Sequence, residues 1–498
     1  MGFLGEKMKE ARGRPIMVGS SFMTAIFNTV ALLVIARNAG PEILGTLGFL
    51  IAYMGLFSFV GDLGNGLAFE RVLAKGYKFS DCFRAFVMAK VKLTVTMGVV
   101  AGLMIALYIY LLAPESHTPL HPVSMFLMLG FFIMVNLASI WVVAMCVRGR
   151  RAAPYDTLES IVKVALVVGL IWFFAPTGDQ TIIFQLAFIY LISGAIGMML
   201  VRNSARRLKM GESNEEVEVE FQDTAAKMIP FIAFTALILN LDKVVLWLFS
   251  DFETLGIYFG AQRITVFIGA SAVTIELILG EALSRYIQNN KTKEISETLR
   301  MTERYVSLVA MPVTAFYVLF SDNLLQAFLG DNFIGGGTTV ALLAGAGLFV
   351  AMSTPHISYL VRADKFRELA IITGLAFAAF IVALALLLPN LILTLEHMDG
   401  TAIAVLVSAA TGYVVARYLT WKILKCKPHP KILAHILSAG LMMATIEFFI
   451  WYYGIELEFG FLLILAFLGF FVYILCLYLT GEMMKRDYYE FRRLTKPE

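Results

Sequence analysis

The chain has 498 residues, 59% of them hydrophobic and 15% charged, with a formal net charge of +3. With a mean hydropathy of +0.78, this composition excludes a soluble domain and points to an all-α, polytopic membrane protein. The small net charge says little about partners, because in such a protein the placement of charge carries the information; no nucleic-acid partner is expected.

Hydrophobic runs of about 20 residues, enough to cross ~30 Å of hydrocarbon, recur throughout. About fourteen can be read, at 15–36, 43–66, 86–112, 122–147, 155–175, 180–201, 226–249, 255–283, 303–321, 337–361, 367–388, 400–421, 431–453 and 460–480. The first follows a basic stretch, as in a signal peptide. No A-x-A-like site ends it and Asn28 interrupts it, so it is read as a retained span. With the N-terminus inside, the inner loops and adjacent helix ends hold 36 of the 40 Lys and Arg residues. Arg37 alone falls on an outer loop, while Lys163, Lys243 and Arg263 lie within spans. A missed or extra helix would scramble that separation, so the charge pattern places both termini in the cytoplasm.

The longest inner loop, Arg202 to Lys227, turns acidic from Glu212 to Asp223 and is expected to be a solvated linker. The expected domains are an N-lobe over 1–211, the acidic linker over 212–225, a C-lobe over 226–425, and two further spans with a cytoplasmic tail over 426–498. Glu70 to Arg84 and Lys291 to Arg304 carry mixed charge at helical spacing and are expected to lie along the inner surface. Four scattered cysteines have no metal or redox spacing. Cys426 with His429 and His435 supplies too few ligands for zinc, and Gly335-Gly336-Gly337 lacks the Lys-Ser/Thr of a phosphate loop. No metal or cofactor is expected.

Two spans carry an unusual polar content. Asn240-Leu241-Asp242-Lys243 lies in the seventh run and Gln262-Arg263 in the eighth, joined by the turn from Ser250 to Thr254. An ionised side chain at bilayer depth costs roughly 2.5–3.5 kcal/mol, so its retention marks a functional site by default. At 1.5 Å per residue, Asp242 lies about 9 Å and Arg263 about 12 Å below the outer ends of their helices, which makes them expected partners. An internal echo supports this focus. Glu42-Ile43-Leu44-Gly45 precedes the second span and Glu253-Thr254-Leu255-Gly256 the eighth, at an offset of 211 residues. Six spans separate them, so the halves read as parallel repeats about an axis along the membrane normal.

Several strings resemble the Wzx-like polysaccharide and O-antigen (lipid-linked oligosaccharide) flippases of the multidrug/oligosaccharidyl-lipid/polysaccharide exporter superfamily. They are Ile35 to Gly45, Gly61-Asp62-Leu63-Gly64, Glu70 to Ala74, Asn240 to Lys243, Leu255 to Ala261 and Phe328 to Phe333, and the resemblance covers about residues 10–370. It implies two pseudo-symmetric six-helix lobes around a cavity lined by spans 1, 2, 7 and 8, with spans 13 and 14 added at the C-terminus. The implied activity is movement of a polyprenyl- or dolichyl-(pyro)phosphate-linked oligosaccharide from the inner to the outer leaflet of the cytoplasmic membrane by alternating access. Its implied partners are that lipid-linked oligosaccharide, membrane lipids and glycan-assembly proteins.

Under that resemblance Arg263 is the expected phosphate ligand, since its planar fork grips phosphate bidentately. Asn28, Lys243, Asn240 and Gln262 are further substrate candidates. Asn28 bonds either sugar or another helix, and Lys243 either reaches outward or lines the cavity. Asp242 is a candidate for coupling to H+ or Na+, releasing Arg263 at one stage of the cycle. The lipid II flippase relatives hold a cation with residues of spans 7, 11 and 12, but span 11 here has no acidic residue beyond Glu368 at its inner end. Arg37 is expected to pair with Glu42 or Glu253 as an outer latch, and Glu276 to sit at the inner mouth or interface. Glu159 and Lys163, at i,i+4, are expected to neutralise one another. His356, after Thr354-Pro355, is expected to mark a kink rather than a proton relay, and Glu447 has no assigned role. A cation-coupled multidrug exporter of the same superfamily is the alternative. An enzyme acting on lipid carriers would need a large outer loop bearing catalytic groups, which this sequence lacks.

Overall fold

The computed structural model of the chain describes residues 2–112, 122–147, 153–174, 180–206, 208–389, 395–453 and 459–482. Every regular element among these residues is helical. The chain forms two compact units, Met1–Phe259 and Gly260–Glu498. The first holds α1 (Gly2–Ser58), α2 (Asn65–Ala74), α3 (Phe79–Leu112), α4 (Pro122–Val147), α5 (Ala153–Phe174), α6 (Gln180–Ser204), α7 (Glu215–Phe249) and the start of α8 (Phe252–Gln288). The second holds the rest of α8 with α9 (Thr292–Leu319), α10 (Ser321–Leu329), α11 (Gly337–Arg362), α12 (Phe366–Leu387), α13 (His397–Leu424), α14 (Lys431–Tyr453) and α15 (Phe459–Leu479).

The fourteen hydrophobic runs are helical over most of their length, and the first two share α1. Gly40 breaks that helix with φ +81°, a value that favours glycine. Among the described residues ten helices are long and apolar enough to cross a membrane, or eleven if α9 and α10, bent by 84°, form one span. The count of fourteen is therefore approximate. In the first unit α4 packs on α6, α1 on α5 and α7, and α2 on α7. In the second, α13 lies between α11 and α12, while α9 contacts both α11 and α14.

Two expectations need correction. The acidic stretch is not a solvated linker, because α7 begins at Glu215, inside it. Asn214 caps that start by accepting from Val217 N at 3.4 Å, and Glu215, Glu216 and Glu218 in the first turn favour the helix N-terminus. Its apolar residues Val217, Phe221 and Ala225 are spaced by four and bury a stripe against Phe69, Phe83 and Phe86 of α2 and α3. The polar face binds as well: the Lys75 ammonium meets Glu220, and the Tyr77 hydroxyl donates to Glu216 at 3.0 Å, which pushes the exposed phenol up. Nor is Lys291 to Arg304 a separate surface helix. It is the first half of α9, and Leu299, Glu303 and Arg304 within it are buried.

The connection from α13 to α14 carries a pH dependence. Burial, with Arg304 and Arg300 nearby, pushes the His429 imidazole down to about 4. Its neutral ring accepts from the Lys431 N–H at 3.3 Å, at the start of α14. Between the ordinary histidine value and about 4, the unfolded chain holds a proton that the folded chain does not, so acidification across that window destabilises. A thermal melt series from pH 7 to pH 4 is expected to show a fall that His429→Asn reduces. Parallel curves for the two proteins would refute this.

Candidate functional site

The echoed tetrapeptides meet face to face. A Cβ on Gly45 would collide with the Phe252 carbonyl oxygen and stand 2.7 Å from Gly256 N. A Cβ on Gly256 would collide with the Pro41 carbonyl oxygen and stand 3.0 Å from Gly45 N. Pro41 and Phe252, like Gly45 and Gly256, are related by the 211-residue offset, so the contact is reciprocal. The two backbones touch only because both positions lack a side chain. Glu42 and Glu253, both exposed, take equivalent places beside the crossing, and Arg37 is exposed on the preceding turns.

Below the crossing, Phe49 of α1 packs on Trp247 of α7 with ring centroids 4.8 Å apart. Asp242 follows, fully buried. Both of its oxygens receive the Lys243 ammonium, at 2.8 and 3.0 Å, and Oδ2 also accepts the Tyr258 hydroxyl at 2.8 Å. Lys243, expected either to reach outward or to line the cavity, is only 2% exposed and lies beside that carboxylate. A buried ammonium needs such a partner. Asn240 donates to the Ala236 carbonyl at 2.8 Å and rests over Gly55 of α1.

Asn28 does not stand alone either. Its Oδ1 accepts the Lys163 ammonium at 3.0 Å, and Lys163 also pairs with Glu159 at 3.0 Å, as the i,i+4 spacing implies. The rings of Phe131 and Tyr190 lie 5.2 and 4.7 Å from the same ammonium. Lys163 thus has a carboxylate, an amide and two π faces, a set that compensates its desolvation.

In the second unit, Gln262 and Arg263 on α8 are partly buried. Nearer the inner end of that helix, Glu276 pairs with Arg362 of α11 at 2.7 Å and accepts the Ser358 hydroxyl at 2.5 Å. This carboxylate therefore bridges two helices. An apolar groove of about 540 Å³ opens between α9, α14 and α15, lined among others by Leu308, Phe316, Met442, Phe467 and Tyr473.

Two buried polar clusters were not anticipated. On α9, Glu303 faces His356 of α11 with Tyr413 and Arg417 of α13, whereas its neighbour Arg304 faces Glu482, His435 and Lys431 near α14 and α15. Consecutive residues on a helix point about 100° apart, so one turn serves two partners. Tyr413 and Arg417 at i,i+4 were the available signal.

Residues 11–279 match a protein family described as polysaccharide biosynthesis protein. No curated protein sequence matches the chain. Among solved structures, the lipid II flippase MurJ in an inward closed conformation aligns at TM-score 0.74 with 13% identity, over 92% of this chain and 97% of that one. An inward-facing multidrug resistance MATE family transporter aligns at TM-score 0.62 with 14% identity, over 81% and 95%. A Vibrio cholerae MATE transporter aligns at 0.61 with 14% identity, over 84% and 97%. At such identities these likenesses establish a shared fold.

Proposed function

Since the chain belongs to the polysaccharide biosynthesis protein family, we propose that it is a flippase for a lipid-linked oligosaccharide. The cargo would be an oligosaccharide on a polyprenyl or dolichyl (pyro)phosphate, carried from the inner to the outer leaflet of the cytoplasmic membrane. Glycan-assembly proteins are its expected partners.

The observation that carries the reading, beyond family membership, is Arg263, a guanidinium within the eighth hydrophobic run. An anionic sugar-phosphate head cannot cross hydrocarbon unaided, and fixed positive charge lowers that barrier. Arg offers a bidentate fork for phosphate. The apolar groove between α9, α14 and α15 suits a trailing isoprenoid chain, whose burial stabilises by about 0.8 kcal/mol per CH₂. The MATE neighbours keep a multidrug exporter as the second reading, supported by fold alone.

Replacing Arg263 by Ala removes charged hydrogen bonds worth about 1.5–3 kcal/mol each, roughly tenfold to a hundredfold in binding. The expected result is loss of surface glycan, with lipid-linked precursor accumulating inside at unchanged protein level. Arg263→Lys, which keeps the charge without the fork, should fall between. Normal glycan display in the alanine variant would remove Arg263 from the mechanism.

A further inference from the structure

Glu447 of α14 differs from the charged residues described so far within spans. Asp242, Lys243 and Lys163 are buried and partnered. Glu447 is exposed, and it has no hydrogen bond or ion pair among the described residues. Since α14 ends at Tyr453, Glu447 lies about 9 Å below the outer end at 1.5 Å per residue. Trp451, Tyr452 and Tyr453 above it are exposed aromatic residues of the kind that settle at the headgroup level. Glutamate lacks the long stem by which lysine snorkels to water from such depths. A carboxyl group set in hydrocarbon on the outside of the helix packing calls for a partner from outside the chain.

The face around Glu447 is shaped for another helix. α14 packs on α9 and α15, burying His435, Ser438, Ala439, Met442 and Ile446. On its other side Leu433, Leu437, Gly440, Ala444, Glu447 and Trp451 are all exposed. Spaced alternately by four and three residues, they form one seam along the helix, the repeat with which helices meet. Its middle is indented. Gly440 and Ala444 make a small-xxx-small pair near the helix centre, and a Cβ at Gly440 would find nothing within 4 Å. Acyl chains gain no contact from a dent, and α15 shows the alternative by exposing Ile464, Phe467 and Phe471. Small residues let two backbones approach in lipid, and polar side chains then bond across the gap.

We infer that α14 joins two copies of this chain seam to seam, with Gly440 and Ala444 at the crossing and the two Glu447 carboxyl groups facing each other one turn outward. Copies in one membrane run in the same direction, so the pair is two-fold about the membrane normal and each residue of the seam meets its counterpart. Both features are self-complementary. A small residue leaves room for another, and a protonated carboxyl group donates to a second carboxyl oxygen. A helix of another protein would have to supply a donor or cation at this depth, whereas a second copy places its own there by symmetry. The apolar groove opens on the side of α14 that carries Met442 and Ile446, away from the seam, so pairing leaves it free. The pairing holds whatever the transported molecule is.

Full-length protein labelled with donor or acceptor dye, in phosphatidylcholine vesicles, reads association as energy transfer against the protein-to-lipid ratio. The wild type is expected to form dimers. Ala444→Leu, which fills the dent, and Glu447→Leu, which removes the carboxyl group, should each weaken association about tenfold, within the range of interhelical contacts in lipid. Glu447→Gln, whose amide also donates and accepts, should associate as the wild type does. Both positions are exposed, so the melting temperatures of the variants should match the wild type and show the fold unharmed. A wild type that stays monomeric at every ratio overturns the proposal and leaves the seam to a cationic helix of another protein. Association that neither leucine variant weakens overturns it too. In native membranes, copper phenanthroline should link Ala444→Cys or Gly440→Cys into a covalent dimer that the wild type, with its four free cysteines, does not give. Absence of that band from both variants would refute a seam that meets itself.

Discussion

Gly45→Ala and Gly256→Ala are each expected to abolish glycan display, while Gly102→Ala leaves it unchanged. At the first two positions a methyl group meets a backbone carbonyl of the opposing segment, Phe252 or Pro41. No rotamer change relieves such a collision, so the cost lies at or above the upper end of the ~1–3 kcal/mol typical of overpacking. The helices must separate, and the reciprocal crossing of α1 with the start of α8 is lost. Gly102 on α3 has nothing within 4 Å of the place a methyl group would take, and there alanine gains helix propensity of up to about 1 kcal/mol. Thermal unfolding of the purified variants reads the structural part without any assumption about cargo. Wild-type melting of both glycine variants would show that the backbones do not touch as described.

That crossing also shows how far the sequence is legible. A tetrapeptide echo at fixed offset between two outer turns pointed to a repeat, and the glycines at its fourth position turn out to be where α1 and the start of α8 touch. Helical runs were equally readable, since twenty apolar residues have one stable fate in hydrocarbon. What failed was the treatment of charge at the inner face. The stretch before α7 looked like a solvated linker because Glu212 to Asp223 dominates its composition. Val217, Phe221 and Ala225 already had the four-residue spacing of a buried stripe. Lys243 shows a related limit: composition does not reveal that its ammonium folds back onto the neighbouring Asp242 carboxylate. Glu303 and Arg304 fell where an expected surface helix meets the ninth hydrophobic run, yet both are buried in packed helices. Their partners lie 53 to 178 residues away in the chain, a separation over which a single sequence carries no pairing signal.

Glu482→Ala is expected to detach α14 and α15 from α9, with a loss of about 3–5 kcal/mol. Glu482 is 3% exposed and is the anion shared by three cationic or titratable groups: Arg304 Nε, His435 Nε2 at 3.1 Å and Lys431 Nζ at 3.2 Å. Arg304 also donates to the Glu482 backbone carbonyl at 3.0 Å, and the Ser307 hydroxyl meets His435 Nδ1 at 2.7 Å. Removing the carboxylate strands a buried guanidinium beside an ammonium, and repulsion adds to the lost attraction. The apolar groove is built on the same three helices, so it should open with them, held only by contacts such as Ser307 to His435 and the Tyr473 hydroxyl on the Leu308 carbonyl at 3.0 Å. Replacing both partners, as Arg304→Met with Glu482→Leu, should recover most of the stability, because an apolar pair of similar volume needs no desolvation. Melting temperatures of the three proteins in one detergent decide the matter. A single variant within about 1 kcal/mol of wild type, the range of an exposed pair, would mean that the clamp is open to water and does not hold the terminal helices in place.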